Sequence, residues 1–288
     1  MRFFRRPDVQ KFRLATRINL RTTQLTEVQV LDNFPSRFLQ REVRVSIFLP
    51  PYYFEQSDTV YPVLLFNDGQ DMEAVRMADI LDELYEHQRI TRVIVAAVHA
   101  NFDRIHEYGT AHQPDYKHRG AKAGAYTQFI LQELTPALRR RYRCTAKDWV
   151  YAGFSLGGLS AFDIAWHHPE LFHKIGVFSG SFWWRSQAIR EDDPDAHRIL
   201  IDLLQNDVKR VGMKFWLQTG TLDEPDDRNN NGIIDSIDDT LDVIRALKKM
   251  GYHEGDDIKY VEVIGGEHNL PTWSRVLPDF LQWAFSRI

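Results

Sequence analysis

The chain is nearly free of cysteine. Cys144 stands alone among 288 residues, so no internal disulfide can form and the fold needs no oxidising compartment. Long apolar runs are also missing. None approaches the roughly 20 residues a spanning helix requires, so no contact with a membrane is expected. Neither charge dominates: the net charge is −4, which points to no polyanion and leaves nucleic acid an unexpected partner. Repeats and low-complexity stretches are absent as well. Met1-Arg-Phe-Phe-Arg-Arg is basic, but no apolar core of a signal peptide follows it. The default expectation is therefore a cytoplasmic protein. What is present is a hydrophobic content of 43%, enough for a large core. A single domain over 1–288 is expected, with 1–41 supplying outer strands and 226–239 an insertion.

The apolar residues fall into alternating patterns. Phe12 to Leu20 and Val28 to Leu31 alternate weakly, as outer strands do, and Glu42 to Leu49 alternates strictly, as a half-buried strand does. Lys174 to Phe178, Met213 to Thr219 and Ile258 to Ile264 read as strands, and Tyr61 to Phe66, Arg92 to Val98 and Trp149 to Ala152 are near-continuous apolar runs. That is the mark of parallel strands covered on both faces. Between them lie helical spacings at Glu73 to Gln88, Ala125 to Arg141, Leu159 to His168, Asp195 to Asn206, Thr240 to Met250 and Pro271 to Phe285. The alternation predicts an α/β fold, a mostly parallel doubly wound sheet with helices on both faces.

The chemistry concentrates where strands end. Gly153-Phe-Ser155-Leu-Gly157 follows a strand and opens a helix, the setting in which Gly-x-Ser-x-Gly forms a nucleophile elbow. The strained turn lifts the Ser155 hydroxyl clear of the sheet, and the backbone N–H of Leu156 lies at a helix N-terminus, where negative charge is stabilised. The strand ending at Phe66 runs into Asn67-Asp68-Gly69-Gln70, and the Gln70 N–H is the expected second oxyanion donor. A carboxylate after the strand at Met213 to Thr219 would fix a histidine's tautomer. Asp223 is the choice, with Glu224 the alternative. Of eleven histidines, His268 alone directly follows the last strand. His106, His112 and His118 lack the spacing of metal ligands and belong to a loop over the strand ends. Trp183 and Trp184 read either as pocket wall or as the cover of a side core.

Asp227 to Asp238 fits a twelve-position calcium loop. Asp227, Asn229 and Asn231 stand at positions one, three and five, Gly232 at six, the Ile233 carbonyl at seven and Asp238 at twelve. Aspartate in place of glutamate at twelve predicts modest affinity for Ca²⁺. Without the cation, the acids around this loop would repel one another and leave Asp223 on a mobile segment. Calcium removal is thus expected to lower both stability and turnover.

Together these residues resemble a known family, that of the putative esterases. It includes esterase D, feruloyl and acetyl xylan esterases, ferric enterobactin esterases and mycolyltransferases. The resemblance runs from about Val43 to Phe285. It is carried by Tyr61 to Gln70, Arg104 with Glu107-Tyr108, Gly153 to Gly158, Ser179-Gly-Ser-Phe-Trp-Trp184 and Gly266-Glu-His-Asn269. It implies an α/β-hydrolase fold, a small-molecule ester substrate, Ser155 as nucleophile and His268 as base, with the acid in the loop after Gly220. Arg104 and Tyr108 join Trp183 and Trp184 as expected pocket residues. The expected activity is ester hydrolysis through an acyl-enzyme. An acyltransferase with the same residues, or a non-catalytic binding protein on the same fold, is the alternative. The sequence is silent on oligomeric state.

Overall fold

The computed structural model describes residues 25–287. The strand expected at Phe12 to Leu20 lies outside them. Eight strands form one sheet in the order β1-β2-β4-β3-β5-β6-β7-β8. They are β1 (Glu27–Ser36), β2 (Arg41–Leu49), β3 (Val63–Asn67), β4 (Ile94–Val98), β5 (Trp149–Phe154), β6 (Phe172–Phe178), β7 (Lys214–Leu222) and β8 (Ile258–Glu267). β1 pairs antiparallel with β2 and β2 with β4; every pairing from β4 across to β8 is parallel. This is the mostly parallel sheet that the pattern predicts, in the α/β-hydrolase fold that the resemblance implies.

The period of two along each strand divides its side chains between two cores. On β5, Trp149 and Tyr151 face one cluster with α5 (Ser155–His167), whereas Val150, Ala152 and Phe154 face another. That second cluster takes its helical side chains from α1 (Met77–Glu86) and α8 (Leu270–Phe285). Because both faces are covered, the central strands show no polar alternation, and β3, β4 and β5 are buried throughout.

Several boundaries move from their expected places. The helix expected from Glu73 begins at Met77, because a 3₁₀ turn at Gly69–Asp71 and further turns occupy the residues before it. After the short α2 (Arg104–Glu107), the helix expected from Ala125 starts at Ala123. It runs as α3 (Ala123–Gln128), a π-helical stretch (Phe129–Leu134) and α4 (Thr135–Arg141). The helix expected from Asp195 starts later, as α6 (Ile199–Asn206), and the one expected from Thr240 starts earlier, as α7 (Asp235–Lys249). Among the described residues no helix is long and apolar enough to cross a membrane.

Candidate active site

The elbow forms because the chain can turn there at close quarters. Ser155 has φ +53°, a left-handed conformation rare for a residue with a Cβ. The strand end packs so closely on the helix start that a Cβ on Gly153 would lie 2.4 Å from the Gly157 carbonyl oxygen. A buried amide fastens the same turn: Asn67 Nδ2 donates to the Gly157 carbonyl at 2.7 Å, while its Oδ1 accepts from the hydroxyls of Tyr126 and Tyr151. Ser155 stands at the start of α5 with its Oγ 3.4 Å from that of Ser181. The Leu156 N–H therefore belongs to the first turn, whose amides lack intrahelical partners.

Gln70 lies in the 3₁₀ turn after β3, and its side chain ties that turn down. Its Oε1 accepts from the Ala100 N–H at 2.9 Å and its Nε2 donates to Asp68 Oδ1 at 3.1 Å. A cavity of about 530 Å³ opens beside Gln70, walled by Val28, Val30, Phe48 and Met72, with Arg44 and His99 as polar groups.

Asp223 follows β7 in a tight turn. Gly220 is required there, since a Cβ would meet the Gly266 carbonyl oxygen at 2.3 Å and Asp223 Oδ1 at 2.8 Å. This close approach draws the ends of β7 and β8 together. Both carboxylate oxygens of Asp223 are held: Oδ1 accepts from Ser179 Oγ at 3.1 Å and Oδ2 from the Gly220 N–H at 3.0 Å. His268 follows β8, where a helix cap sets the backbone. Asn269 Oδ1 accepts from the Thr272 N–H, and Thr272 Oγ1 from the Glu267 N–H, both at 3.0 Å. The imidazole makes a T-shaped contact with Trp273, ring centres 5.1 Å apart.

Asp223 and His268 are electrostatic neighbours, yet burial outweighs their attraction. Partial burial holds the imidazole below its ordinary range; Asp223 pulls it up and the Arg104 cation pushes it down. Burial likewise raises the Asp223 carboxyl, against the Gly220 amide, the Ser179 hydroxyl and His268. At neutral pH the imidazole is thus a free base. A rate that depends on it should rise with pH along one ionisation below 6.5, the ordinary imidazole value. Arg104→Gln removes a cation and frees the negative charge of Asp68, so the ionisation should move up; Asp223→Asn should move it down. A profile of kcat/KM against pH checks both signs, and opposite shifts would remove His268 from the role.

Glu224 faces elsewhere. Burial, together with Asp235, Asp239 and Asp226, pushes its carboxyl up to about 7. Its neighbours are acids, not an imidazole.

The expected pocket residues divide. Trp183 is half-buried, with the Arg119 guanidinium 4.8 Å above its ring. Trp184 and Tyr108 are fully buried, so neither presents a face to a ligand, which corrects that expectation. Adjacent side chains in this segment point in different directions, and Trp184 takes the inner one. The Tyr108 hydroxyl accepts from the Asp68 N–H at 3.2 Å. Arg104 is largely committed to Asp68, at 2.6 and 2.8 Å, but stays partly exposed at the rim.

The loop at Asp227 to Asp238 closes on itself. Asp227 accepts from the N–H groups of Asn231 and Gly232, and Asp238 Oδ2 from the amides of Asn229 and Asn231. Its acids are not uncompensated, contrary to the expectation. Arg228 is buried, 2.7 Å from Asp195, 3.0 Å from Asp235 and 2.9 Å from Asp239. Buried Arg198 pairs with Asp239 and Asp242. Asp223 is held by β6 and β7, not by this loop.

The sequence reading missed Asn67, Asp68, Ser179, Ser181 and Trp273. The first two stood in the Asn67 to Gln70 turn and the serines in a quoted motif. Trp273 carried no signal beyond helical spacing.

Comparison with known proteins agrees with this fold. The profile of the family described as Esterase, putative esterase, matches residues 36–284. An uncharacterised protein YbbA of Bacillus subtilis (strain 168) is 22% identical over 250 residues, 85% of this chain and 93% of its own. Among solved structures, an enterobactin esterase from Shigella flexneri superposes with TM-score 0.69 at 20% identity over 91% of this chain; the match spans 60% of that longer protein. A ferulic acid esterase gives 0.67 at 16% identity, covering 91% of this chain and 98% of its own. An IroE-like serine hydrolase from Shewanella oneidensis gives 0.67 at 22%, covering 90% and 80%.

Proposed function

Starting from the fact that the chain belongs to the putative esterase family, we propose that it hydrolyses carboxylic esters of small molecules through an acyl-enzyme on Ser155. The observation that carries this reading is the strained Ser155 at the head of α5, with the Asp223 carboxylate held after β7 and the His268 imidazole following β8. His268 takes the Ser155 proton as the oxygen attacks the ester carbonyl, and Asp223 stabilises the imidazolium that forms. The N–H groups of Leu156 and Gln70 receive the oxyanion. His268 then returns its proton to the departing alcohol, and water repeats the sequence on the acyl-enzyme. A fluorophosphonate probe should label the protein once, at Ser155, and a p-nitrophenyl ester should give a burst of nitrophenol. Labelling at another residue would overturn the assignment. If an added alcohol acceptor captures the acyl group faster than water, the enzyme is a transferase.

We further propose that the 227–238 loop holds a structural Ca²⁺. Support for this reading comes from the loop's closure on itself. Asn229 and Asn231 meet Asp238, Asp227 lies beside Asn231, and Gly232 has the positive φ (+86°) that a sixth-position turn needs. The sequence motif assigns the seventh position to the Ile233 carbonyl. With calcium at ten times its dissociation constant, the melting temperature should rise by about 3–6 °C. The rise should vanish in Asp238→Asn, and kcat should stay constant because Asp223 is anchored independently. A melting temperature indifferent to calcium and EDTA would leave the loop a hydrogen-bonded turn.

A further inference from the structure

One side chain touches all three regions of the proposed site, and the chemistry above gives it no task. The Trp273 indole stacks on Phe154, the residue before the nucleophile, with ring centres 4.7 Å apart and planes within 7°. It meets the His268 ring in a T-shaped contact, ring centres 5.1 Å apart. Its Nε1–H donates to Ser179 Oγ at 3.0 Å, and Ser179 Oγ donates to Asp223 Oδ1 at 3.1 Å. Both residues are buried, and Ser179 holds a φ of +47° at the end of β6, a strained conformation for a non-glycine residue.

We propose that Trp273 and Ser179 are positioning residues acting in series, holding the acid and the base of the triad in one frame. The inference rests on reading Ser155, His268 and Asp223 as a triad. A hydroxyl has one proton and can aim it in several directions. By donating into the oxygen, the indole N–H fixes that proton on Asp223 Oδ1. The Gly220 amide occupies Oδ2 from the strand side, so the carboxylate has lost its freedom to rotate. The same rigid ring is the wall against which the imidazole rests. Packing alone would require an aromatic ring at 273 but no N–H directed at a serine whose own proton goes to the acid.

The test uses variants that separate the ring from its N–H. Trp273→Phe keeps the stacking on Phe154 and the contact with His268 and removes only the donor. Ser179→Ala removes the relay. Each should lower kcat by about tenfold to hundredfold with KM little changed, as expected when a catalytic group is misplaced by a fraction of an ångström. The ionisation in the pH profile should move in the direction set by Asp223→Asn. Because the two act in series, the double variant should be no slower than the slower single. In an Asp223→Asn background both substitutions should be silent, which a merely structural loss would not be. If Asp223→Asn abolishes turnover while Trp273→Phe and Ser179→Ala remain near wild type, the positioning role is wrong and the triad stands. If Asp223→Asn is itself active, the triad reading and this inference fall together.

Discussion

Ser155→Ala is expected to lower kcat by about three or more orders of magnitude while leaving the fold intact. Alanine keeps the Cβ, so the strain at φ +53° is unchanged. The lost hydroxyl made only a long contact with Ser181 Oγ, at 3.4 Å, so little stability is at stake. What disappears is the attacking oxygen. Ser181 cannot replace it, because it is buried and does not stand at a helix N-terminus that could receive the oxyanion. Residual turnover would come from binding and from the Leu156 and Gln70 amides. Single-turnover rates with a p-nitrophenyl ester, beside a melting curve matching wild type, make the measurement. A folded variant with near wild-type rates would end the covalent mechanism.

Asp223→Asn should cost nearly as much, about 10⁴ in kcat, because an amide presents the wrong group to the imidazole and favours the wrong tautomer. Ser179 Oγ and the Gly220 N–H both donate to the present carboxylate, so an amide NH₂ turned toward either would also be repelled. Glu224→Gln should behave in the opposite way. The Glu224 carboxyl ionises at about 7 in the folded protein against 4.5 as an ordinary glutamate. Folding therefore favours its protonated form, and its contribution to stability is lost as pH rises through about 7. Glutamine mimics that protonated form. The variant should melt higher than wild type at pH 8, match it at pH 4.5, and keep its activity. If instead Glu224→Gln were the inactive one, the acid would be assigned to the wrong neighbour.

Which parts of this site could be read in the sequence follows from how each is encoded. Ser155, Asp223 and His268 are local signals, each a residue placed just after an apolar run, and a strand end is visible without knowing what lies beside it. Asp223 is the choice and Glu224 the alternative, because a sequence cannot separate neighbours whose side chains diverge. Only the neighbours decide, an imidazole for one and three aspartates for the other. The same divergence hid which of Trp183 and Trp184 is turned inward. Asn67, Ser179 and Trp273 act across the sheet, the last two over 94 residues, and no spacing along the chain encodes such a meeting. Arg228 was missed for another reason. The loop motif constrains positions that face a cation, and position two faces away, into the buried acids of α7. Reading only the ligand positions made the loop look like an unbalanced cluster of negative charge.

The residues proposed to react do not share one level of protection. Ser155 rises from β5 in the middle of the sheet, with strands on both sides, whereas His268 follows β8, which among the described residues is an edge strand paired only with β7. Edges fray before centres, since fewer hydrogen bonds must open to free them. Amide exchange should therefore be faster in β8, which leads to His268, than in β5, which leads to Ser155. The enzyme can fall silent through a local opening at its rim while nearly all of its core remains assembled, and recover by simple reclosing.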